Sequence, residues 1–594
     1  MPSRTDTVMG MLPCFHRLSM GLGVRQRFGL CAVPLLLGLQ ACAASAGSGS
    51  PDPTSTSAGA AGAPSQVAGA GAAGSSPAAT DCQKDASLAP ARIWRLTDAE
   101  YVSAVQRIFG VTMPPQVTSV DVNTGEYTNF AELSKVSPDI VDAYQSAARL
   151  AAQQAVTSHL TAFLPCGGTD TCVSNFLKNR VSRAYGRPLA DDELQAFMDL
   201  YHNGSADGSN VGIRMVIEAT LQSPSFLYRT ELGARTVGGP TAKVTLTPHE
   251  IATSLSYALQ DTVPDDTLWD KAEDGSLAKP EVLTAEVDRL LADPATKANL
   301  GHMAGYWLGI ERLIGTQKHI ADPNFALFTD AFKAELYQSA QLFVQEVLAT
   351  GKATDLLTSK RMYLNEDLAK AYGVPGVTGS TLVPVDLSSN ERSGIITQPA
   401  VLAAFSRADR GDPIHRGLFI YNSLACGSSI GSPPASATTV AAGFPMESTE
   451  RQLSGFRADL PLCRTCHHLF DPLGLATEQY DPIGRYEPTD ATGAPVDASS
   501  TINGLGADLD GPITGLADLI QRLVVGRRFP DCAATNLAVF MLGQTEAKDK
   551  SCALQAVKDQ FAKTGSFKDY YRALVTSPAF VTRDPALPAA APAP

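Results

Sequence analysis

From about residue 90 onward, apolar residues recur at helical spacing along most of the chain. Tyr101, Val105, Ile108 and Phe109 fall on one helical face. Before them, Thr97-Asp98-Ala99-Glu100 forms a capping box whose side chains satisfy free amides of the first turn, and Gly110 ends the helix. Residues 173–201 read as two amphipathic helices broken at Gly186-Arg187-Pro188. Thr247-Pro248-His249-Glu250 is a second capping box with proline at the first helical position. Helical periodicity then continues, with short interruptions, to about Tyr372. Beyond Gly373 the stretch VPGVTGSTLVPVDL is richer in Gly, Pro and β-branched residues and predicts a strand or two. The pattern as a whole predicts a mainly α protein of several helical domains, with a small irregular, β-containing segment towards the C-terminal third.

Two segments repeat one another. Residues 176–229 end in LQSPSFLYR and residues 533–583 in LVTSPAFVTR, each after helix, Gly-containing break, helix, turn and helix. A duplicated three-helix unit explains both economically; the alternative is that Ser-Pro merely ends two unrelated helices. The predicted organisation is a leader over 1–41, a linker over 42–81 and an N-terminal helical domain over 90–165. The three-helix unit follows at 166–235, then a helical domain at 243–373, a motif-bearing domain at 390–490 and a C-terminal helical domain at 491–583 repeating 176–229.

The N-terminus departs from this globular pattern. Arg17, Arg25 and Arg27 precede the apolar run FGLCAVPLLLGL, too short to span a bilayer and flanked as a secretory signal is. The run ends in Leu39-Gln40-Ala41-Cys42, which resembles a bacterial lipobox. That resemblance implies diacylation of Cys42 and anchoring by its lipid chains. Ala43 in place of Asp gives no reason for inner-membrane retention, so the expected location is the periplasm or cell surface, on the outer membrane of a Gram-negative bacterium. Met11 or Met20 is an alternative start. Residues 43–81 are almost all Ala, Gly, Ser, Pro and Thr and read as a flexible tether with a reach on the order of 35 Å. The net charge of −13 becomes more negative once the basic leader is removed, which disfavours nucleic acid and anionic lipid as partners and leaves a basic protein partner open.

Export implies an oxidising compartment, where cysteines pair. With Cys14, Cys31 and Cys42 set aside and Cys463 used with Cys466, six remain. Short loops favour Cys166 with Cys172 and Cys532 with Cys552, leaving Cys82 for Cys426, among fifteen possible pairings. The stretch PLCRTCHHLFDPLG contains Cys463-x-x-Cys466-His467. This spacing suits covalent haem c, because the thiols lie one helical turn apart and the next residue offers an imidazole to the iron. Two alternatives stay open, a disulfide or structural role and a zinc or other metal site, although His467 and His468 as neighbours cannot easily close one ion with both thiolates. A thioredoxin-like pair lacks its βαβ surroundings.

The segments RIWRLTDAEYVSAVQRIFG (92–110), VSRAYGRPLADDEL (181–194), the helical stretch from LTPHEIATSLSYAL to YLNEDLAKAYG (246–373), SGIITQPAVLAAFSRADRGDPIHRGLFIYNSLAC (393–426) and CRTCHHLFDPLGLATEQYDPIGRYE (463–487) resemble planctomycete- and myxobacterial-type exported cytochrome c-like proteins. These are built from successive domains of unknown function around one planctomycete cytochrome C domain. The resemblance spans nearly all of 90–583 and implies one haem c on Cys463, Cys466 and His467. It implies no known reaction. The His-Arg pair expected shortly before the first cysteine is here Phe456-Arg457.

Candidates for the sixth iron ligand are Met541, Met446 and His415; Met541 in LAVFML also suits core packing, and five-coordinate iron is the alternative. Arg485 and Tyr486 are candidate partners for haem propionates. Asp471-Pro472 and Asp481-Pro482 read as repeated turns, and His468 is expected to face solvent or a propionate. No catalytic group is assignable, and neither a phosphate-cradling loop nor a nucleophile elbow occurs. The expected function is electron transfer at the cell envelope with a redox protein partner. Two alternatives are a haem oxidoreductase acting on an extracellular substrate and a surface scaffold in which haem is accessory or absent.

Overall fold

The first capping box forms as its sequence dictates: Glu100 N donates to Thr97 Oγ1 at 3.1 Å and Thr97 N to Glu100 Oε2 at 2.8 Å. The structure is a computed structural model. It describes residues 89–584, apart from 114–116, 118–126, 128, 131–136, 235–242, 319–320, 432–433, 435, 438–439, 441–442, 445–447, 491 and 545–551. The predicted leader, Cys42, the tether, Cys82 and Met446 therefore lie outside the described residues. Thr247 and Glu250 make the second capping box, and Gly110 closes the Asp98–Phe109 helix in the left-handed region at φ 72°.

The described chain is mainly helical, with four two-stranded antiparallel sheets and no barrel. No helix among the described residues is long and apolar enough to cross a membrane. One apolar core runs through the helices of the N-terminal part, where Ala148, Ala151, Ala152 and Ala155 on the Pro138–Phe163 helix leave room for the Ser209–Gln222 helix. A second, larger core joins everything from Leu246 to Phe580.

The two Ser-Pro segments end alike. The short helices Pro224–Leu227 and Pro578–Val581 each run into a strand, Tyr228–Glu231 and Thr582–Arg583. These strands pair antiparallel with Arg92–Arg95 and Val244–Thr245, the strands that lead into the two capping-box helices. Corresponding backbone bonds, Leu96 N to Leu227 O and Leu246 N to Val581 O, are both 2.9 Å long.

Two expectations change. Arg361–Leu364, inside the stretch expected to be helical, is a strand paired with Val383–Asp386, and Arg361 clasps Asp386 across the pair at 2.8 Å. The disulfides also differ. Cys166 pairs with Cys172 as expected, but Cys426 pairs with Cys532 and not with Cys82, and Cys552 is disulfide-bonded without Cys532 as its partner. The physical reason is packing: the Ile420–Leu424 turn lies along the Arg528–Leu542 helix and brings the two Cα atoms within 5.3 Å across 106 residues.

Candidate functional site

The motif sits at the start of the Pro461–Leu475 helix, which follows the Glu450–Asp459 helix after the single residue Leu460. Its far end is gripped by the Pro413–Phe419 helix. The two backbones touch at glycines: a Cβ on Gly474 would collide with the carbonyl of Pro413, and one on Gly417 with the carbonyl of Phe470. The near end, with the cysteines, is left half-exposed. Asp471-Pro472 is therefore not a turn but lies inside the helix, whereas Asp481 does close a turn by accepting from Ile483 N and Arg485 N at 2.9 and 2.8 Å.

Cys463 and Cys466 are free thiols, both half-buried, while Cys166, Cys172, Cys426, Cys532 and Cys552 are all in disulfides. Three residues apart on a helix, the two thiols share a face. His467 Nδ1 lies 2.9 Å from Asp471 Oδ1 one turn further on. An ionised carboxylate can only accept, so Nδ1 carries a proton, and in the neutral imidazole Nε2 then keeps its lone pair. Asp471 spends its other oxygen on Arg457, whose Nε donates at 2.8 Å from the preceding helix. Both side chains of this ion pair are almost fully buried, and Arg457 Nη2 is buried without a partner. The Phe470 ring packs against the imidazole at 5.0 Å. Two thiols on one face beside an imidazole with a free Nε2 are the donor set that covalent haem c requires, so the residues present fit that group. Among the described residues, no three His, Cys, Asp or Glu side chains converge to hold a metal ion.

The remaining candidates are scattered. His415 shares a helix with Pro413 and Gly417, but at 100° per residue it points away from the face those two present to the motif helix. It leans on Asp412 at 2.6 Å and opens onto a cavity of about 470 Å³ with Trp307, Glu311 and Phe405. Met541 is buried in the core, at the end of a helix whose last carbonyls, on Leu542 and Gly543, accept from Arg92 of the N-terminal strand. His415 is thus turned from the motif helix, and Met541 is packed in the core. Arg485 is held within its own turn, donating to Asp481 Oδ2 at 2.6 Å, and Tyr486 packs on Tyr480. His468 is exposed and turns its Nδ1 to the Arg464 carbonyl.

Two residues of the site escape a reading of the sequence. Asp471 reads there as a turn residue, and Arg457 only as the second member of a pair whose first, the expected His, is Phe456. The i, i+4 spacing of His467 and Asp471 is the one clue the chain offers.

Beyond the motif, the helix leads into a cleft of about 480 Å³ lined by Glu450, Glu478, Asp481, Glu487 and Arg451. Burial pushes the Glu478 carboxyl up to about 7, with Arg451 opposing and Glu450 and Asp497 adding to the rise.

Fold and site together define a mainly helical, disulfide-braced protein with a thiol–thiol–imidazole helix. Four family models match it in succession: a protein of unknown function DUF1587 (PSD3) at 94–157, DUF1595 (PSD5) at 172–231, DUF1592 (PSD4) at 246–374 and DUF1588 (PSCyt3) at 392–490. The chain belongs to these planctomycete cytochrome-domain-associated families. The motif falls in the PSCyt3 segment, whose name is cytochrome-like and whose function is unknown. No curated protein and no solved structure matches the chain.

Proposed function

We propose that this chain is an exported, lipid-anchored protein carrying one haem c, and that it transfers electrons at the cell envelope to a protein partner. Cys463 and Cys466 would hold the haem through their thiols, and His467 Nε2 would offer its lone pair to the iron. Bound haem supplies a one-electron couple. The protein's own part is to hold the imidazole in one tautomer and one orientation through Asp471, which Arg457 in turn fixes. The supporting observation is that the two motif thiols are unpaired and share a helical face beside that oriented imidazole, in a chain whose other described cysteines are all oxidised.

The test is expression in a host that attaches haem c, followed by pyridine haemochrome spectra of denatured protein. Wild type should keep haem after denaturation, and Cys463→Ala/Cys466→Ala should lose it. Colourless wild-type protein, or a Cys463–Cys466 disulfide by peptide mapping, would overturn the reading. A second reading, a haem oxidoreductase acting on an extracellular substrate, is favoured by the orientation of His415 away from the motif helix. High-spin, five-coordinate iron would select it, and low-spin, six-coordinate iron would select electron transfer.

A further inference from the structure

Remote in sequence from the motif helix, a cavity of about 720 Å³ opens where the end of the Pro138–Phe163 helix meets the Asp170–Phe176 and Asp266–Glu273 helices. Its size is that of a small-molecule pocket. Three guanidiniums face it, those of Arg107, Arg180 and Arg183, and its carboxylates are already committed. Asp266 pairs with Arg183. Asp265 takes both forks of Arg289, at 2.7 and 3.0 Å, and caps its helix by accepting from Leu268 N. Asp293 caps another helix at Ala295 N and accepts from Gln260 at 3.0 Å.

Arg107 and Arg180 make no ion pair among the described residues. Arg180 spends one nitrogen on the Ile108 carbonyl at 2.7 Å, and Arg107 spends one on Gln260 Oε1 at 3.2 Å and the Val263 carbonyl at 3.4 Å. The rest of each planar donor fork is left over, in the geometry that clasps an oxyanion through two parallel bonds. Arg180 is half withdrawn from water against Phe163, 5.9 Å from its ring centre, a costly position for a cation that no carboxylate clasps directly; Asp266, which acts on it from a distance, is paired with Arg183. Burial, and then Arg183, accordingly lower its affinity for its proton. Beside the arginines, Asn175 and Asn179 offer neutral amides to hydroxyl groups, and the Cys166–Cys172 disulfide ties down the rim.

We propose that this cavity binds a small hydroxylated organic anion, a sugar acid or a sugar sulfate, through Arg107 and Arg180. The site shares no residue with the haem motif, so it stands or falls independently of the function proposed above.

The full exported chain would be titrated calorimetrically with trigalacturonate, a sulfated disaccharide, inorganic sulfate and neutral maltotriose. Trigalacturonate or the sulfated disaccharide should bind, with affinity falling as salt rises, and the tighter of the two identifies the anion. Arg180→Gln and Arg107→Gln should each weaken it tenfold or more. Arg180→Lys keeps the charge without the fork, so it should fold normally and still bind more weakly. Arg149→Gln, at an exposed position elsewhere, should change nothing. Absence of binding by either organic anion, equal affinity for maltotriose, unchanged affinity in both arginine-to-glutamine variants, or inorganic sulfate binding as tightly as the sugars would each overturn the proposal.

Discussion

Both oxygens of the Asp471 carboxylate are in use, one by the His467 imidazole and the other by the Arg457 guanidinium. The two partners pull in opposite directions. A carboxylate behind Nδ1–H makes the imidazole a stronger donor, which favours oxidised iron, while the guanidinium drains charge from that carboxylate. If haem binds as proposed, Asp471→Asn should raise the midpoint potential and Arg457→Gln should lower it. Each shift should be on the order of 60 mV, the one-electron equivalent of a tenfold change in equilibrium constant. Potentiometric titration of the three proteins checks this, and shifts of the same sign would show that neither residue acts through charge. At this scale the thiols and His467 were legible, because their meaning lies in spacing along one helix. Arg457 was not, because its partner is set by how one helix folds back on the next.

The motif helix is positioned by a glycine contact. The Pro413–Phe419 helix approaches until backbone meets backbone at Gly417 and Gly474, leaving no room for a methyl group. Gly474→Ala should therefore cost about 3 kcal/mol or more, the upper range for overpacking, because the obstructing atom is a carbonyl that cannot rotate away. Gly455→Ala, on an exposed helix position with nothing nearby, should instead be neutral or stabilise by about 0.5–1 kcal/mol. Thermal unfolding of both variants tests the contrast. Most helices could be read from their apolar period and caps, as at Thr97 and Thr247. Asp471-Pro472 could not, because the local turn preference of that pair is overridden by the packing of the whole helix. Likewise Arg361–Leu364 becomes a strand only through its partner nineteen or more residues downstream.

Across the molecule, three distant segments meet at one buried carboxylate. Glu231 accepts from Arg92 at 2.8 Å and Arg583 at 2.7 Å, joining the first described strand, the end of the first Ser-Pro unit and the end of the second. Burial alone would push this carboxyl up, but Arg583 and Arg92 override it and hold it well below the usual carboxylate range. Glu231→Gln would leave two buried guanidiniums without a counter-charge. A loss of about 3–5 kcal/mol in urea-induced unfolding is expected, far more than for an exposed pair such as Arg149–Glu218. A loss below about 1 kcal/mol would mean that water reaches the cluster.

The mainly α class, both capping boxes, the Cys166–Cys172 bond and the thiol–thiol–imidazole motif were determined by the sequence itself, since each depends on residues within a turn or two of one another. The Cys426–Cys532 bond, the Arg457–Asp471–His467 alignment, the orientation of His415 away from the motif and the pairing of Glu231 with Arg92 and Arg583 were decided only in the tertiary structure. Loop length ranks disulfide pairings weakly, because closure entropy grows only with the logarithm of separation. Helix packing, by contrast, brings chosen side chains within bonding distance whatever lies between them.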